Sequence, residues 1–200
     1  MRLAFTRAGS AAASASVRAV GQASSSDDIL IKRIAAGDQL AMRTLFARHR
    51  VALYRFVLRM VGDATLAEDI LSDVFLDVWR QASRFEARSA VSTWLLAIAR
   101  FKAFSALRRR REAELDLDVA SAIADPADDP EVVMQKKSTG ELLRRSLASL
   151  PPEQGAVIDL VYYHGKTVAE VADIVGANEA TVKTRMFYAR RKLAELVKAA

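Results

Sequence analysis

The chain has 200 residues, of which 52% are hydrophobic and 27% charged, with a net charge of +6 and no cysteine. This composition is typical of one large or two small folded domains, and the low content of Gly and Pro favours helices. The lack of cysteine excludes disulfides, thiolate metal sites and cysteine nucleophiles, which fits a cytoplasmic protein. No apolar run reaches the roughly eighteen residues that span a membrane. The positive charge makes nucleic acid the leading partner.

Residues 1–26 form a leader that is rich in Ser and Ala. It contains Arg2, Arg7 and Arg18 and no acidic residue. This pattern resembles an organellar transit peptide, but a disordered bacterial extension or an early start codon is the favoured interpretation. In either case we expect the leader to lie outside the fold.

Helical periodicity dominates after the leader, and no stretch has the period of a strand. A short helix is predicted to begin with Ser26 or Asp27 as its N-cap and to end at Gly37. A longer helix is predicted from Asp38 to Gly62. The sequence therefore predicts an all-α fold.

The next helix, Ala67 to Arg80, is acidic in an otherwise basic protein. Between Asp63 and Asp77 there are five acidic residues and no Lys or Arg. Thr65 and Glu68 have the spacing of a capping box at its start. DNA phosphates would repel such a helix, so it is either a solvated surface or a docking face for a basic protein partner.

A cationic helix is predicted from about Val91 to Arg111, and its second half, RFKAFSALRRRR, has six cations and no acid. The preceding stretch, Phe85 to Thr93, is polar and made of short residues, which suits the binding of unpaired bases and their backbone. Trp94, Ile98 and Phe101 share one helical stripe. That spacing favours packing in the core over a platform for a ligand.

Residues 112–131 hold eight acidic residues, no basic residue and the prolines Pro126 and Pro130. This composition predicts an acidic flexible linker between two small helical domains, residues 27–111 and 132–200.

The C-terminal domain is predicted to have one helix ending at Leu150, a second beginning at Pro151 and Pro152, and a break at Gly165. Two short helices follow, with the pattern of a helix-turn-helix. Thr167 and Glu170 form a capping box, Gly176 makes the turn, and Asn178 caps the second helix. The first of these helices has an apolar face of Val168, Val171, Ala172 and Val175. In the second, the residues predicted to point inward are Val182, Met186, Ala189 and Leu193.

The opposite face of the last helix is cationic and carries hydroxyl and aromatic groups. These are the groups that contact phosphates, guanine edges and thymine methyls in the major groove. A solvated basic helix in an ordinary bundle is the weaker alternative. The residues predicted to face DNA are Thr181, Lys183, Thr184, Arg185, Phe187, Tyr188, Arg190 and Arg191.

An enzyme is not expected. His49 and His164 lie in different predicted domains, and neither is close in sequence to a plausible nucleophile or carboxylate pair. There is no phosphate-binding Gly loop and no metal-ligand spacing, so we expect no cofactor and no metal.

Three segments in this order resemble the bacterial extracytoplasmic-function (ECF) sigma factors of the sigma-70 family. They are AEDILSDVFLDVWR, then STWLLAIAR with its basic tail, and LPPEQGAVIDLVYYHGKTVAEVADIVGANEATVKTRMFYARRKL. The resemblance covers about Asp27 to Val197. It implies a subunit that binds core RNA polymerase and selects promoters. The implied partners are the polymerase clamp helices and flap, promoter DNA and an anti-sigma inhibitor.

The resemblance also implies roles for individual residues. The acidic helix would dock on the Arg-rich clamp helices of the largest polymerase subunit, with Asp69 and Asp73 facing them and with Phe75 and Trp79 fixing the helix in its domain. The acidic linker would lie in the channel of the nascent RNA. Residues implied to bind the polymerase are Glu68, Asp69, Ser72, Asp73 and Asp77. Residues implied to bind the melted −10 strand are Arg84, Arg88, Ser89, Ser92, Thr93, Arg100, Lys102, Arg108 and Arg109.

Three positions depart from the family pattern. Phe101 and Ser105 stand where Asn and Asp are common, and Tyr188 stands where Arg is frequent. We therefore expect promoter preferences that differ from those of typical members.

Two alternatives remain at this stage. A conventional helix-turn-helix regulator would explain the C-terminal half, but not the acidic helix and basic block of the N-terminal half. An adaptor that is built from two helical bundles and binds no DNA is the other alternative, and salt-sensitive binding to nucleic acid would argue against it.

Overall fold

The computed structural model describes residues 26–120, 146–147 and 149–198, and all regular structure in these residues is helical. None of the described helices is long and apolar enough to cross a membrane. The predicted all-α class is confirmed. The helices are α1 (residues 26–35), α2 (Gln39–Val61), α3 (Ala64–Gln81), α4 (Val91–Ala120), α5 (Pro152–Tyr162), α6 (Val168–Val175) and α7 (Glu179–Lys198), with a 3-10 turn at Ala82–Arg84.

The predicted ends of α2 are confirmed. The Asp38 carboxylate accepts hydrogen bonds from the backbone N–H groups of Leu40 and Ala41 at 2.9 and 3.0 Å. Gly62 closes the helix in the left-handed region, at φ 71°, where a residue with a Cβ would be strained.

The predicted cap of α1 is wrong in one respect. Residue 26 is already helical, and Asp27 is buried rather than placed as a surface cap. Its carboxylate accepts a hydrogen bond from Arg48 at 2.7 Å and lies 2.8 Å from Nε2 of His49. Asp27 therefore joins α1 to α2, and His49 has a structural partner.

The predicted capping box at the start of α3 is also wrong. Asp63 is the N-cap, because its side chain accepts the backbone N–H of Leu66 at 3.0 Å. An aspartate directly before the first helical residue reaches that N–H, while Thr65 already lies within the helix.

Helix α4 does not end near Arg111 as predicted but continues to Ala120. The added turns are rich in Ala, Glu and Leu, which are strong helix formers, and Arg108 pairs with Glu112 one turn away at 3.7 Å. The first part of the predicted linker is therefore helical. The leader up to residue 25, the rest of the linker and most of the predicted helix before Leu150 lie outside the described residues.

The N-terminal bundle is formed by α2, α3 and α4 packing on one another, with α1 against them. Leu45, Phe56, Val74 and Leu95 are fully buried at its centre. This packing leaves the acidic side of α3 and much of α4 facing solvent.

The C-terminal bundle is formed by α5, α6 and α7, and it confirms the predicted helix-turn-helix. Val182, Met186 and Ala189 are buried, and Leu193 is partly buried. Gly176, at φ 61°, makes the turn. The second helix of the motif is not short as predicted, since α7 has 20 residues.

The two bundles contact each other through α2 with α5 and α4 with α6, which we call the domain interface. Asp159 of α5 is buried and accepts two hydrogen bonds from the guanidinium of Arg59, one at 2.9 Å. Arg59 also lies 4.6 Å from the ring centre of Tyr163, and the rings of His164 and Phe56 pack edge to face. The buried apolar residues of both bundles form one continuous cluster.

Candidate functional site

The polymerase-binding residues predicted on α3 form one surface, which we call the acidic face. Glu68, Asp69, Ser72 and Asp73 are exposed, while Asp77 is half-buried. The helix is fixed from behind by Phe75, which is 5% exposed and packs edge to face on Phe46 at 4.8 Å. Trp79, expected to share that role, is 39% exposed.

Leu76 was missed by the sequence reasoning. It is 50% exposed and lies one turn from Ser72 and Asp73 on the same side of α3. An exposed leucine bordered by carboxylates supplies apolar area to a protein contact, which acids alone do not. Its spacing from Asp69 and Asp73 was the signal that could have identified it.

Lys102 of α4 points at the acidic face. Its ammonium lies 2.8 Å from a carboxylate oxygen of Asp77 and 3.9 Å from one of Asp73. The side chain is only 20% exposed. Lys102 was predicted to bind DNA, but in this structure it partly neutralises the acidic face.

The 3-10 turn and the loop that joins it to α4 carry exposed cations. Arg84 and Arg88 are exposed, and Arg88 pairs with the neighbouring Glu86. Ala87 has φ 54°, in the left-handed region that side chains with a Cβ rarely adopt. A loop held in a strained conformation beside a cationic helix is typical of a preorganised binding segment.

Ser92 and Thr93, predicted to bind the −10 strand, are engaged by the C-terminal bundle. The ammonium of Lys166 donates hydrogen bonds to both hydroxyls at 2.9 Å, and Thr93 donates one to Glu170 at 3.0 Å. Thr93 is 2% exposed. The Thr93 hydroxyl cannot reach DNA until the domain interface opens, whereas Ser92 is partly exposed but held by Lys166.

Glu170 serves two contacts at once. It completes the predicted capping box of α6, where its carboxylate accepts the backbone N–H of Thr167 at 3.0 Å. Burial would raise its pKa, but the hydrogen bonds from Thr167 and Lys166 outweigh that effect and lower the pKa to about 2. The carboxylate is therefore charged at neutral pH.

The cationic half of α4 divides into two parts. Arg100 is half-buried and stacks over Phe104 at 4.6 Å, and burial lowers the pKa of its guanidinium. Arg108 and Arg109 are exposed. Phe101 is 71% exposed, so the prediction that it lies in the core is wrong, while Trp94 and Ile98 are partly buried as expected.

The predicted DNA-facing side of α7, which we call the recognition face, is largely solvent-exposed. Asn178 caps the helix by accepting the N–H of Thr181 at 2.8 Å, as predicted. Phe187 and Tyr188 are more than half exposed. Arg185 is half-buried in an ion pair with Glu153, and Arg190 donates to the hydroxyl of Tyr162 at 3.0 Å.

The two bundles match separate family models. The model Sigma-70 region 2 matches residues 45–113, and Sigma-70, region 4 matches residues 140–193. The ECF RNA polymerase sigma factor SigK of Mycobacterium tuberculosis (strain ATCC 25618 / H37Rv) is 33% identical over 175 residues, covering 85% of this chain and 92% of SigK. The chain belongs to the ECF sigma factors of the sigma-70 family. SigL of M. tuberculosis (strain CDC 1551 / Oshkosh) is also 33% identical, over 80% of this sigma factor and 90% of SigL.

Solved structures agree with this assignment. The sigma factor RpoE of Bartonella quintana, in complex with the anti-sigma factor NepR, superimposes with a TM-score of 0.63 at 26% identity. The superposition covers 78% of this chain and 96% of the RpoE chain. CnrH in complex with the cytosolic domain of CnrY gives a TM-score of 0.64 at 27% identity, over 87% and 98% of the two chains.

The predicted function is thereby confirmed: this sigma factor binds core RNA polymerase and directs it to promoters. The alternative of a conventional regulator is set aside, because the region 2 match includes the acidic helix and the basic block that such a regulator leaves unexplained.

Proposed function

We propose that the acidic face of α3 binds the polymerase, that α4 and its preceding loop capture the unpaired −10 strand, and that the recognition face of α7 reads the −35 duplex. The observation that carries this proposal is the separation of charge. From Ala64 to Asp77, α3 has exposed carboxylates and no lysine or arginine, whereas exposed arginines and lysines lie on α4 and α7 and also on α2. A cationic protein can thus offer one surface to a basic protein and two to DNA.

Docking is expected to depend on Asp69 and Asp73, which lie one turn apart and are exposed. Asp69→Arg with Asp73→Arg replaces attraction to basic clamp helices by repulsion, so the affinity for core polymerase should be abolished. Asp28→Arg with Asp173→Arg is the control, since it makes the same change of charge outside the acidic face. Equal affinity of both variants in a pull-down with core enzyme would remove the docking assignment.

Capture of the −10 strand is expected to begin with the exposed Arg84, Arg88, Arg108 and Arg109, which can bind phosphates in the closed protein. Ser89, which follows Arg88 in the loop before α4, is half-exposed. Ser92 and Thr93 join after the domain interface opens, which releases them from Lys166. Arg100 and Lys102 act from less exposed positions.

Reading of the −35 element is expected to depend on five exposed residues of the recognition face, Lys183, Thr184, Phe187, Tyr188 and Arg191. Lys183 pairs with Glu179 at 3.4 Å and Arg191 with Glu195 at 3.1 Å, both at the surface. Surface pairs of this kind are weak, so both cations remain available to DNA. Thr181, Arg185 and Arg190 flank this group.

The matching test is Lys183→Ala with Arg191→Ala. Each substitution removes one cation from the DNA-facing surface and should weaken −35-dependent transcription by about 1–3 kcal/mol. Lys32→Ala with Arg43→Ala removes the same charge from exposed positions of the N-terminal bundle and serves as the control. Intact footprints and output in the first variant would mean that another face enters the groove.

We further propose that the protein works in the cytoplasm as a non-catalytic subunit, without cofactor, under the control of an anti-sigma factor. The similar structures of RpoE with NepR and of CnrH with CnrY support this partner. The experiment that tests the whole proposal is in vitro transcription by purified core enzyme on a promoter library, with and without the sigma factor. Absence of sigma-dependent start sites would overturn it.

A further inference from the structure

Phe101 is the large hydrophobic residue with the highest exposure in the described part of the chain, at 71%. Among the described residues its ring stacks on no other ring and on no cation, in contrast to Phe104, which is covered by Arg100. An exposed aromatic ring in the middle of a helix contributes little to folding. A single exposed ring is common on protein surfaces, so the groups that surround it decide whether it can bind another molecule.

The ring lies at a hollow of about 380 Å³ between α3 and α4, within the size range of sites that bind small ligands. Ser105, one turn further along α4, and Arg108 and Arg109, two turns further, also line the hollow. Ile70 and Asp73 border it on the α3 side. A flat apolar ring, a hydroxyl and guanidinium groups therefore surround one space.

The charges around this hollow favour an anion. From Val91 to Arg111, α4 contains no acidic residue. Arg109 has no ion pair with any described residue, and Arg108 has only the loose surface pair with Glu112 at 3.7 Å. Asp73, the acid that borders the hollow, already lies 3.9 Å from Lys102. A phosphate backbone can thus bind along the arginines while its base lies on the ring.

We propose that Phe101 is a stacking platform for one unpaired base of promoter DNA, with Arg108 and Arg109 on the adjacent phosphates and the Ser105 hydroxyl at the edge of the base. This inference rests on the proposed −10 role of α4 and adds to it a specific residue. Stacking on an aromatic ring is tolerant of base identity, so this interaction holds an unpaired base more than it selects one.

The test uses holoenzyme formed with the full chain and a fork-junction DNA that carries a promoter from the library experiment. 2-Aminopurine is placed in turn at each unpaired position of the −10 strand. With the wild-type chain, its fluorescence should be quenched at one position more than at its neighbours. Phe101→Leu removes the ring plane while keeping an apolar side chain, and should abolish that local quenching and weaken fork-DNA binding about tenfold.

Phe101→Tyr is the matched control, because it keeps the ring and should keep both quenching and affinity. Wild-type quenching and affinity in Phe101→Leu would overturn the stacking role while leaving the proposed function intact. A loss of core-polymerase affinity in Phe101→Leu would also overturn it, since Phe101 would then belong to the protein contact across the hollow. Failure of the wild-type holoenzyme to bind fork DNA would overturn the proposed function and this inference together.

Discussion

The ion pair between Arg59 and Asp159 is expected to hold the domain interface closed. Asp159 is 7% exposed in its side chain, and Arg59 supplies two hydrogen bonds to it from the other bundle. Arg59→Leu leaves the carboxylate buried without its guanidinium, whereas separation of the bundles returns the carboxylate to water. The variant should therefore shift the equilibrium from the closed toward the open form.

The size of the shift follows from the exposure of the two partners. Breaking a fully buried pair by removing one partner costs about 3–5 kcal/mol. The Arg59 side chain is 32% exposed, so solvent screens part of the interaction, and the carboxylate keeps a second neighbour, Nε2 of His164 at 3.2 Å. We take about 2 kcal/mol, which raises the ratio of open to closed protein roughly 30-fold.

Because the chain has no native cysteine, dyes can be attached at two introduced cysteines to measure the separation of the bundles. Ala47→Cys and Ala194→Cys place a donor and an acceptor dye on exposed positions of the two bundles, and single-molecule energy transfer reports their separation. Arg55→Leu is the control, since it removes an exposed arginine one turn earlier on α2. Identical distributions for Arg59→Leu and Arg55→Leu would show that apolar packing, rather than this ion pair, holds the bundles together.

Three further outcomes are expected. Glu170→Gln should lower the free energy of unfolding at neutral pH, as measured by urea titration. The folded pKa of Glu170 is about 2 and its ordinary value is 4.5, so the difference in unfolding free energy from wild type should shrink as the pH falls from about 4.5 toward 2. Asn178→Ala should cost about 1 kcal/mol of stability and weaken −35 duplex binding without changing core-polymerase affinity; an unchanged melting temperature would contradict the cap. Leu76→Ala should weaken core binding by about 1 kcal/mol while stability stays constant, and a stability loss with normal binding would place Leu76 in the fold instead.

Features set by neighbouring residues could be predicted from the sequence. Asp38, Thr167, Gly176 and Asn178 occupy the cap and turn positions expected of them, because each acts within a few residues of its own position. The separation of acidic and cationic helices was likewise visible as local composition.

Contacts between distant parts of the chain could not be predicted in this way. Lys166 and Ser92 are 74 positions apart, and Arg59 and Asp159 are 100 positions apart. No periodicity connects such residues, so the covering of the predicted −10 hydroxyls by the C-terminal bundle became visible only in three dimensions. The exposure of Phe101 was missed for a related reason: helical spacing places it on a stripe with Trp94, but only the packed bundle shows where that stripe leaves the core.

The link from Lys102 to Asp77 has a consequence for genetic studies. Lys102 lies on α4, the helix proposed to bind DNA, and it also changes the charge that α3 presents to the polymerase. A mutation of Lys102 is therefore expected to appear in screens for defects in promoter binding and in screens for defects in polymerase binding. Suppressors of a Lys102 defect are then expected on α3 as well as in the promoter. Mutational maps of polymerase binding and of start-site choice would overlap at this residue, even though the surfaces proposed for the two activities are different.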